Sequence, residues 1–344
     1  MTTSVNHLEK LAIVQTDFDI WGGKVKLDDP DIKLGIGGTL PPKSLAELGN
    51  KKIIDPKHLR PFNRLKTMAR RLCLAKGMSF MNGFAVPLDE IDRISSELDE
   101  IRCEMNNLKT DFMANYDKHI SEWRSENTEY SEAITKGVLP AQVIEKKFGF
   151  EFTVFQVDPV NQSESQKLQN MASGLSGELM AEIVKESDDF FHKNLKGKDL
   201  CQVNTQKTLI RIRDKVEGLS FLDNRFLSIV KLLDITIKGY PDSGKVVTGE
   251  PFYRILSAIL ILSSTDKIND YATGSVDLDD MTSRYMFAEN VNTDESKGDN
   301  VSAINVEEFP KQNLNEESFE DDMDDDDIDA FFQQHQATAD GSFF

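Results

Sequence analysis

The chain has 344 residues, 39% of them hydrophobic, and its 59 acidic and 40 basic side chains give a formal net charge of −19. That length and apolar content suit one large or two modest domains with real cores. The longest apolar stretch, around Ile255 to Leu262, falls far short of the ~20 residues a membrane span needs, and the start at Met1 lacks the basic-then-apolar pattern of a secretory signal. Cys73, Cys103 and Cys201 are widely spaced, so they offer neither a disulfide framework nor a metal-binding pair, and a reducing cytoplasm is the expected location.

Residues 1–50 read as an irregular segment. A short helix is expected from His7 to Val14, and Phe18 to Leu27 reads as a strand broken by Gly22 and Gly23. Gly35-Ile36-Gly37-Gly38 before Pro41-Pro42 is turn chemistry; it lacks the spacing of a dinucleotide-binding loop, and prolines follow where a helix would have to begin.

Residues 51–157 are expected to hold a basic helix, a long heptad helix and a strand. Lys51, Lys52, Lys57, Arg60, Arg64, Lys66, Arg70, Arg71 and Lys76 face a single acid, Asp55, within residues 51–76. Pro61 suits a first helical turn, and Leu65, Met68, Ala69 and Leu72 follow helical spacing. Arg60, Arg64 and Arg71 then share one face. With Lys57 and Arg70 they form a candidate phosphate-gripping surface that neutralises charge without reading bases. A solvated face, or a surface that receives the chain's own acidic tail, accounts for the same residues.

The long helix starts after Pro87, with Asp89 and Glu90 placed to favour the helix dipole. Ile91, Ile94, Leu98, Ile101, Met105, Leu108 and Phe112 form an unbroken heptad seam, and Tyr116, Ile120 and Trp123 continue it as an ordinary helix face. An intramolecular helical hairpin and a dimerising coiled coil both fit that seam. Gly149 to Val157 reads as a strand closed by Asp158-Pro159.

Residues 158–288 read as a helical region with a β-hairpin. Leu168, Met171, Leu175, Leu179, Ile183 and Phe190 predict a helix over 165–196, and Thr205 to Leu233 supplies one or two more with a break at Gly218. Gly239-Tyr240-Pro241-Asp242-Ser243-Gly244-Lys245-Val246 matches a phosphate loop only in part. Val246 stands where a hydroxyl should ligate magnesium, and Val246 to Pro251 reads as strand and turn where a helix should start. A hairpin with Pro241 to Gly244 at its tip is the expectation. The fold class is therefore mainly α with a minor β-sheet, a long coiled-coil-like helix and a disordered acidic tail.

That tail spans 289–344, where 17 acids meet only Lys297 and Lys311, a net of −15 that leaves residues 1–288 at −4 (42 acids, 38 bases). Asp324, Asp325, Asp326, Asp327, Ile328, Phe331 and Phe332 embed apolar anchors in negative charge, and the chain ends at Phe343-Phe344. Such a segment lacks the apolar mass for a core. It suits docking into a basic, apolar groove of a partner protein, and a solubilising tail with incidental phenylalanines fits as well.

Catalytic and metal motifs are weak. The histidines His7, His58, His119, His192 and His335 lie far apart, and none sits in HExxH or beside a cysteine pair. His119 and Glu122 fall one turn apart, with Asp117 and Glu126 nearby, and read as solvated surface. No nucleophile elbow occurs. The expectation is a non-enzymatic protein with no cofactor, no metal and no catalytic residue.

Trp21-Gly22-Gly23, Arg70-Arg71, Gly83-Phe84-Ala85-Val86-Pro87, Phe112 with Tyr116-Asp117 and Trp123, and Lys147-Phe148-Gly149-Phe150 occur in that order. The series resembles a domain-of-unknown-function family, number 3150 in that nomenclature, strongly over the first half and weakly to about Leu262. The resemblance implies a protein of plasmids, integrative elements and phages. Such members are often encoded near MoxR-type AAA+ ATPases, von Willebrand factor A-type (VWA) proteins resembling cobalt chelatase subunits, and recombination and single-strand-binding proteins. It implies no catalytic residues. Expected partners are thus proteins, an AAA+ ATPase and a VWA protein among them. The alternative is single-stranded DNA, with the tail, similar in composition to the acidic tips of single-strand DNA-binding proteins, acting as an internal competitor. The oligomeric state stays open.

Overall fold

The computed structural model of the chain describes residues 7–27 and 49–292, with side chains through Met286. The described chain is mainly α-helical with small sheets of four, two and two strands. It divides into two units. The first holds residues 13–27, 49–74 and 79–155, and the second 7–12, 75–78 and 156–292.

In the first, sheet-bearing unit the elements run β1 (Leu11–Asp19), β2 (Lys24–Lys26), β3 (Asn50–Lys52), a 3-10 turn (Pro56–Leu59) and α1 (Arg60–Lys76). There follow β4 (Met78–Phe80), β5 (Gly83–Pro87), α2 (Ile91–Ala114), α3 (Tyr116–Glu126), α4 (Ser131–Gly137), α5 (Ala141–Glu145) and β6 (Gly149–Phe155). The large sheet has the order β4-β5-β1-β6. β1 and β6 are antiparallel, in register from Ile13 opposite Phe155 to Asp19 opposite Gly149. Met81 and Asn82, both at positive φ, link β4 to β5, as a tight two-residue turn requires. The short pair β2–β3 is also antiparallel.

The heptad seam lies inside this unit. Ile94, Leu98, Ile101 and Met105 have no exposed surface, and Phe112 has 5%. They join one core cluster with Phe62, Leu65, Met68 and Leu72 of α1 and Phe150 of β6. The seam is therefore packed within the chain, in one cluster with α1 and the sheet in place of the expected helical hairpin, and these side chains are not available to a dimerising coiled coil. The long helix also ends sooner than its pattern suggests. At Asn115 the backbone leaves helical geometry (φ −108°, ψ 6°) and the side-chain amide donates to the Asp111 carbonyl at 2.9 Å, before α3 restarts at Tyr116.

Aromatic rings fill the space between α1, the α2–α3 break and the turn before β2. Phe112 lies edge-on to Trp21 (6.4 Å between centroids) and to Phe62 (5.8 Å), and Phe148 lies 4.5 Å from Phe62. Such tilted and edge-on pairs are the favoured arrangements of rings in a core. The Tyr116 hydroxyl donates to the Leu139 carbonyl at 2.9 Å, and burial pushes its pKa up to about 12. Gly23 makes the turn possible. Its φ is +63°, its carbonyl accepts from the Ile53 amide at 3.0 Å, and an added Cβ would lie 2.8 Å from Leu59 Cδ1.

The second, helical unit contains a 3-10 turn (His7–Lys10) and, from 156 onward, α6 (Gln162–Phe190), a π-helical turn (Phe191–Leu195), β7 (Leu200–Gln202), α7 (Gln206–Gly218) and α8 (Arg225–Lys238). β8 (Val246–Thr248), α9 (Glu250–Leu262), α10 (Thr265–Ala272) and α11 (Leu278–Asn292) complete it. Asn161 caps α6, its side-chain oxygen accepting from the Glu164 amide at 3.0 Å. Helix α9 is the centre, touching α6, α8, α10 and α11. Phe252, Ile255, Ala258, Ile259, Ile261 and Leu262 are all buried, as the apolar positions of a helix packed on several sides must be. The N-terminal turn packs on α6, with Leu8 buried and Lys10 Nζ 5.2 Å above the Phe221 ring. Lys215, 5% exposed, is paired with Glu182.

Two expected elements are corrected. The helix from His7 to Val14 gives way to the 3-10 turn and β1, because Leu11 to Val14 are buried on successive positions between two neighbouring strands. The hairpin across Pro241 to Gly244 is also replaced: the residues before that turn form α8, and β8 pairs with the distant β7 instead. Lys245 leads into β8, while α9 starts at Glu250, so no helix opens at the lysine as a phosphate loop requires. The break at Gly218 is where the sequence places it.

Gly23→Ala forces a side chain into the left-handed region, a cost of about 1–2 kcal/mol, and adds overpacking of about 1–3 kcal/mol. Both tryptophans of the chain, Trp21 and Trp123, lie in the sheet unit, so the loss is measurable as an earlier midpoint in urea followed by tryptophan fluorescence. Burial pushes the Cys73 thiol up to about 12, Cys201 is also buried and raised, and Cys103 is exposed. A native-state thiol titration is therefore expected to show one fast-reacting group, abolished by Cys103→Ser.

Candidate functional site

The basic stretch becomes a turn and a helix with distinct faces. Asp55 caps the Pro56–Leu59 turn: its carboxylate accepts from the Lys57 amide at 2.9 Å and pairs with Lys57 Nζ at 2.8 Å. Those bonds hold the Asp55 pKa below its ordinary value. Pro61 falls in the first turn of α1, where its missing N–H costs nothing. Phe62, Leu65, Met68, Ala69, Leu72 and Cys73 turn into the core at intervals of three and four. The opposite face is left to the cations.

Arg60, Arg64 and Arg70 are exposed, and they form no ion pair with another described residue. Arg60 and Arg64 lie about one turn apart. Arg71, expected on the same face, is half-buried and has interactions of its own, and Lys57 is tied to Asp55. Of the five candidate phosphate-gripping residues, three thus present unpaired charge among the described residues. The tail candidates Asp324, Asp325, Asp326, Asp327, Ile328, Phe331, Phe332, Phe343 and Phe344 lie outside the described residues, as do the glycines of 35–38.

At the start of the same basic segment, the fold assembles a group that sequence spacing conceals. His58, held by its amide on the Asp55 carbonyl (3.2 Å), stacks on His119 of α3, with centroids 3.7 Å apart and an interplanar angle of 25°. Glu122 follows one turn along α3, and its Oε2 lies 4.0 Å from His119 Nδ1. Donor atoms of His58, His119 and Glu122 all fall within 4.8 Å of one another. Burial, and then the neighbouring His58, lower the His119 pKa, favouring the neutral ring. His119 also leans on Phe112 of the core (5.8 Å), and the next residue but three, Trp123, donates its indole N–H to the Lys52 carbonyl at 3.1 Å. Glu122 and His119 were visible as a one-turn pair; His58, which completes the group, carried no signal at its distance in sequence.

The profile of the family described as "Protein of unknown function (DUF3150)" matches residues 8–264. The match covers well over half of the chain, and the protein belongs to that family. No curated protein and no solved structure matches the chain significantly. The residues that carry the resemblance now have places. Trp21, Phe112, Tyr116, Phe148 and Phe150 are core side chains of the sheet unit, and Gly23 makes its turn. Arg70 lies on the exposed face of α1. Among the described residues, no helix is long and apolar enough to cross a membrane.

Proposed function

We propose that this protein is a non-enzymatic adaptor of a mobile genetic element that works with a MoxR-type AAA+ ATPase complex, a VWA protein included, and docks a partner through its acidic, aromatic C-terminal segment. The observation that carries the reading is the division of charge. Residues 289–344 hold 17 acids and two bases, whereas residues 51–76 hold nine bases and one acid. A segment of that sign steers encounter with a basic partner within about a Debye length, and more strongly at low salt. Met323, Ile328, Phe331 and Phe332 then supply the apolar anchors on which affinity depends. Family membership supports the choice of ATPase partner through the gene neighbourhoods the resemblance implies.

A second reading, single-stranded-DNA handling in recombination or replication, is favoured by one observation: Arg60, Arg64 and Arg70 are exposed on one helix without an ion-pair partner among the described residues. The acidic segment would then compete with DNA for that face.

Affinity purification of the full chain, and of one ending at Ala288, from cells carrying the element tests the first reading. The full chain is expected to retain an ATPase or VWA partner that the shorter chain loses; equal recovery by both rules out docking by the tail. Fluorescence anisotropy with labelled single-stranded DNA tests the second. Binding is expected to emerge on truncation, with a log–log salt slope of about −0.7 per phosphate contact, so that Arg60→Ala with Arg64→Ala makes it shallower by about 1.4. No binding by either chain at low salt removes the DNA reading.

A further inference from the structure

We propose that His58, His119 and Glu122 bind a single divalent transition-metal ion, with zinc the best match, which pins the Pro56–Leu59 turn to α3. Two imidazoles and one carboxylate form a donor set suited to zinc, with a fourth position left for water. Tetrahedral zinc with bonds of about 2.0–2.1 Å needs donor atoms about 3.3 Å apart. Here they lie within 4.8 Å of one another, so side-chain rotations that open the ring stack and turn both lone pairs inward close the site. The freedom exists, because the Glu122 side chain is 49% exposed and both rings are only partly buried.

The polar accounting also points to a ligand. His119 Nδ1 is buried and has no hydrogen-bond partner, a state that costs about 1–3 kcal/mol in general. Stacking on His58 does not supply that bond, since rings laid face to face leave their in-plane lone pairs unused. An ion reached by both rings and by Glu122 uses those lone pairs and neutralises the carboxylate together. His119 and Glu122 stand three residues apart on one helix, so both donors project over the same turn. His58 comes from a separate, side-chain-capped turn. Lys57 and Lys118 are the opposing charges. Lys57 is paired with Asp55, and Lys118 Nζ makes only a loose 4.0 Å contact with Glu122, an exposed pair of the kind that contributes little.

The test uses the full chain stripped with chelator, titrated with zinc and followed by tryptophan fluorescence, since Trp123 adjoins Glu122. Cobalt(II) then reports coordination through the strong visible absorption of a four-coordinate site. One equivalent is expected to bind. Glu122→Gln and His58→Gln are expected to weaken binding at least about 10-fold, the loss that even supporting residues around zinc sites produce. His192→Ala, in the helical unit, is expected to leave affinity unchanged. Glu122 is exposed, so its variant keeps the fold even if a histidine variant does not, and metal-free thermal melts check this directly. Zinc binding of the same affinity in Glu122→Gln and His58→Gln places the ion elsewhere and overturns the proposal, as does the absence of any saturable binding at micromolar zinc.

Discussion

Burial of the apolar stripe of α2 is the constraint on which the sheet-bearing unit depends. Ile94, Leu98, Ile101, Met105 and Phe112 all leave water on one side of one helix, and full burial of such side chains is worth about 1.5–3 kcal/mol each. A single surface must cover the whole stripe, and α1 and the four-stranded sheet provide it together. That demand fixes the rest. The helix α1 turns its own apolar residues to the same cluster, which leaves its arginines facing outward. Phe112, at the end of the stripe, sets the place where Trp21, Phe62, Tyr116 and Phe148 converge.

The cationic face and the histidine group thus follow from one packing decision. Once Phe62 and Leu65 point inward, Arg60 and Arg64 point outward by helical geometry. The turn that delivers α1 carries His58 beside α3, where Phe112 supports the facing His119 ring. Function can be built on such positions at little energetic cost, because none of these polar residues is asked to stabilise the core. This also separates the residues that carry the family resemblance into two kinds: aromatic and glycine positions that hold the sheet unit together, and Arg70, which lies on the exposed face of α1.

Much of this was legible in the sequence. Strong local periodicity revealed α1, α2 and α6, and alternation with bulky side chains revealed β6, because in each the pattern lies within a single element. Failures came where the deciding partner is remote. Leu11 to Val14 form an apolar run with no period, which helix and buried strand share, and β6, the strand that settles the matter, begins at Gly149. Val246 to Thr248 looked like one arm of a hairpin because its true partner, β7, precedes two intervening helices. The histidine group was hidden for the same reason. His119 and Glu122 form a local pair, but His58 joins them only through the fold.

The helical unit uses both early and late parts of the chain. Its turn at His7 to Lys10 packs on α6, yet more than a hundred residues separate the two, nearly all of them belonging to the other unit. A ribosome therefore releases Leu8 long before the surface that buries it exists, while the sheet unit is complete once β6 emerges. The order of synthesis favours the sheet unit folding first, with the N-terminal strap and its Leu8 anchor waiting for α6. For the same reason the helical unit has no single contiguous coding segment. A gene fragment starting after β6 would encode its helices without the strap that covers α6.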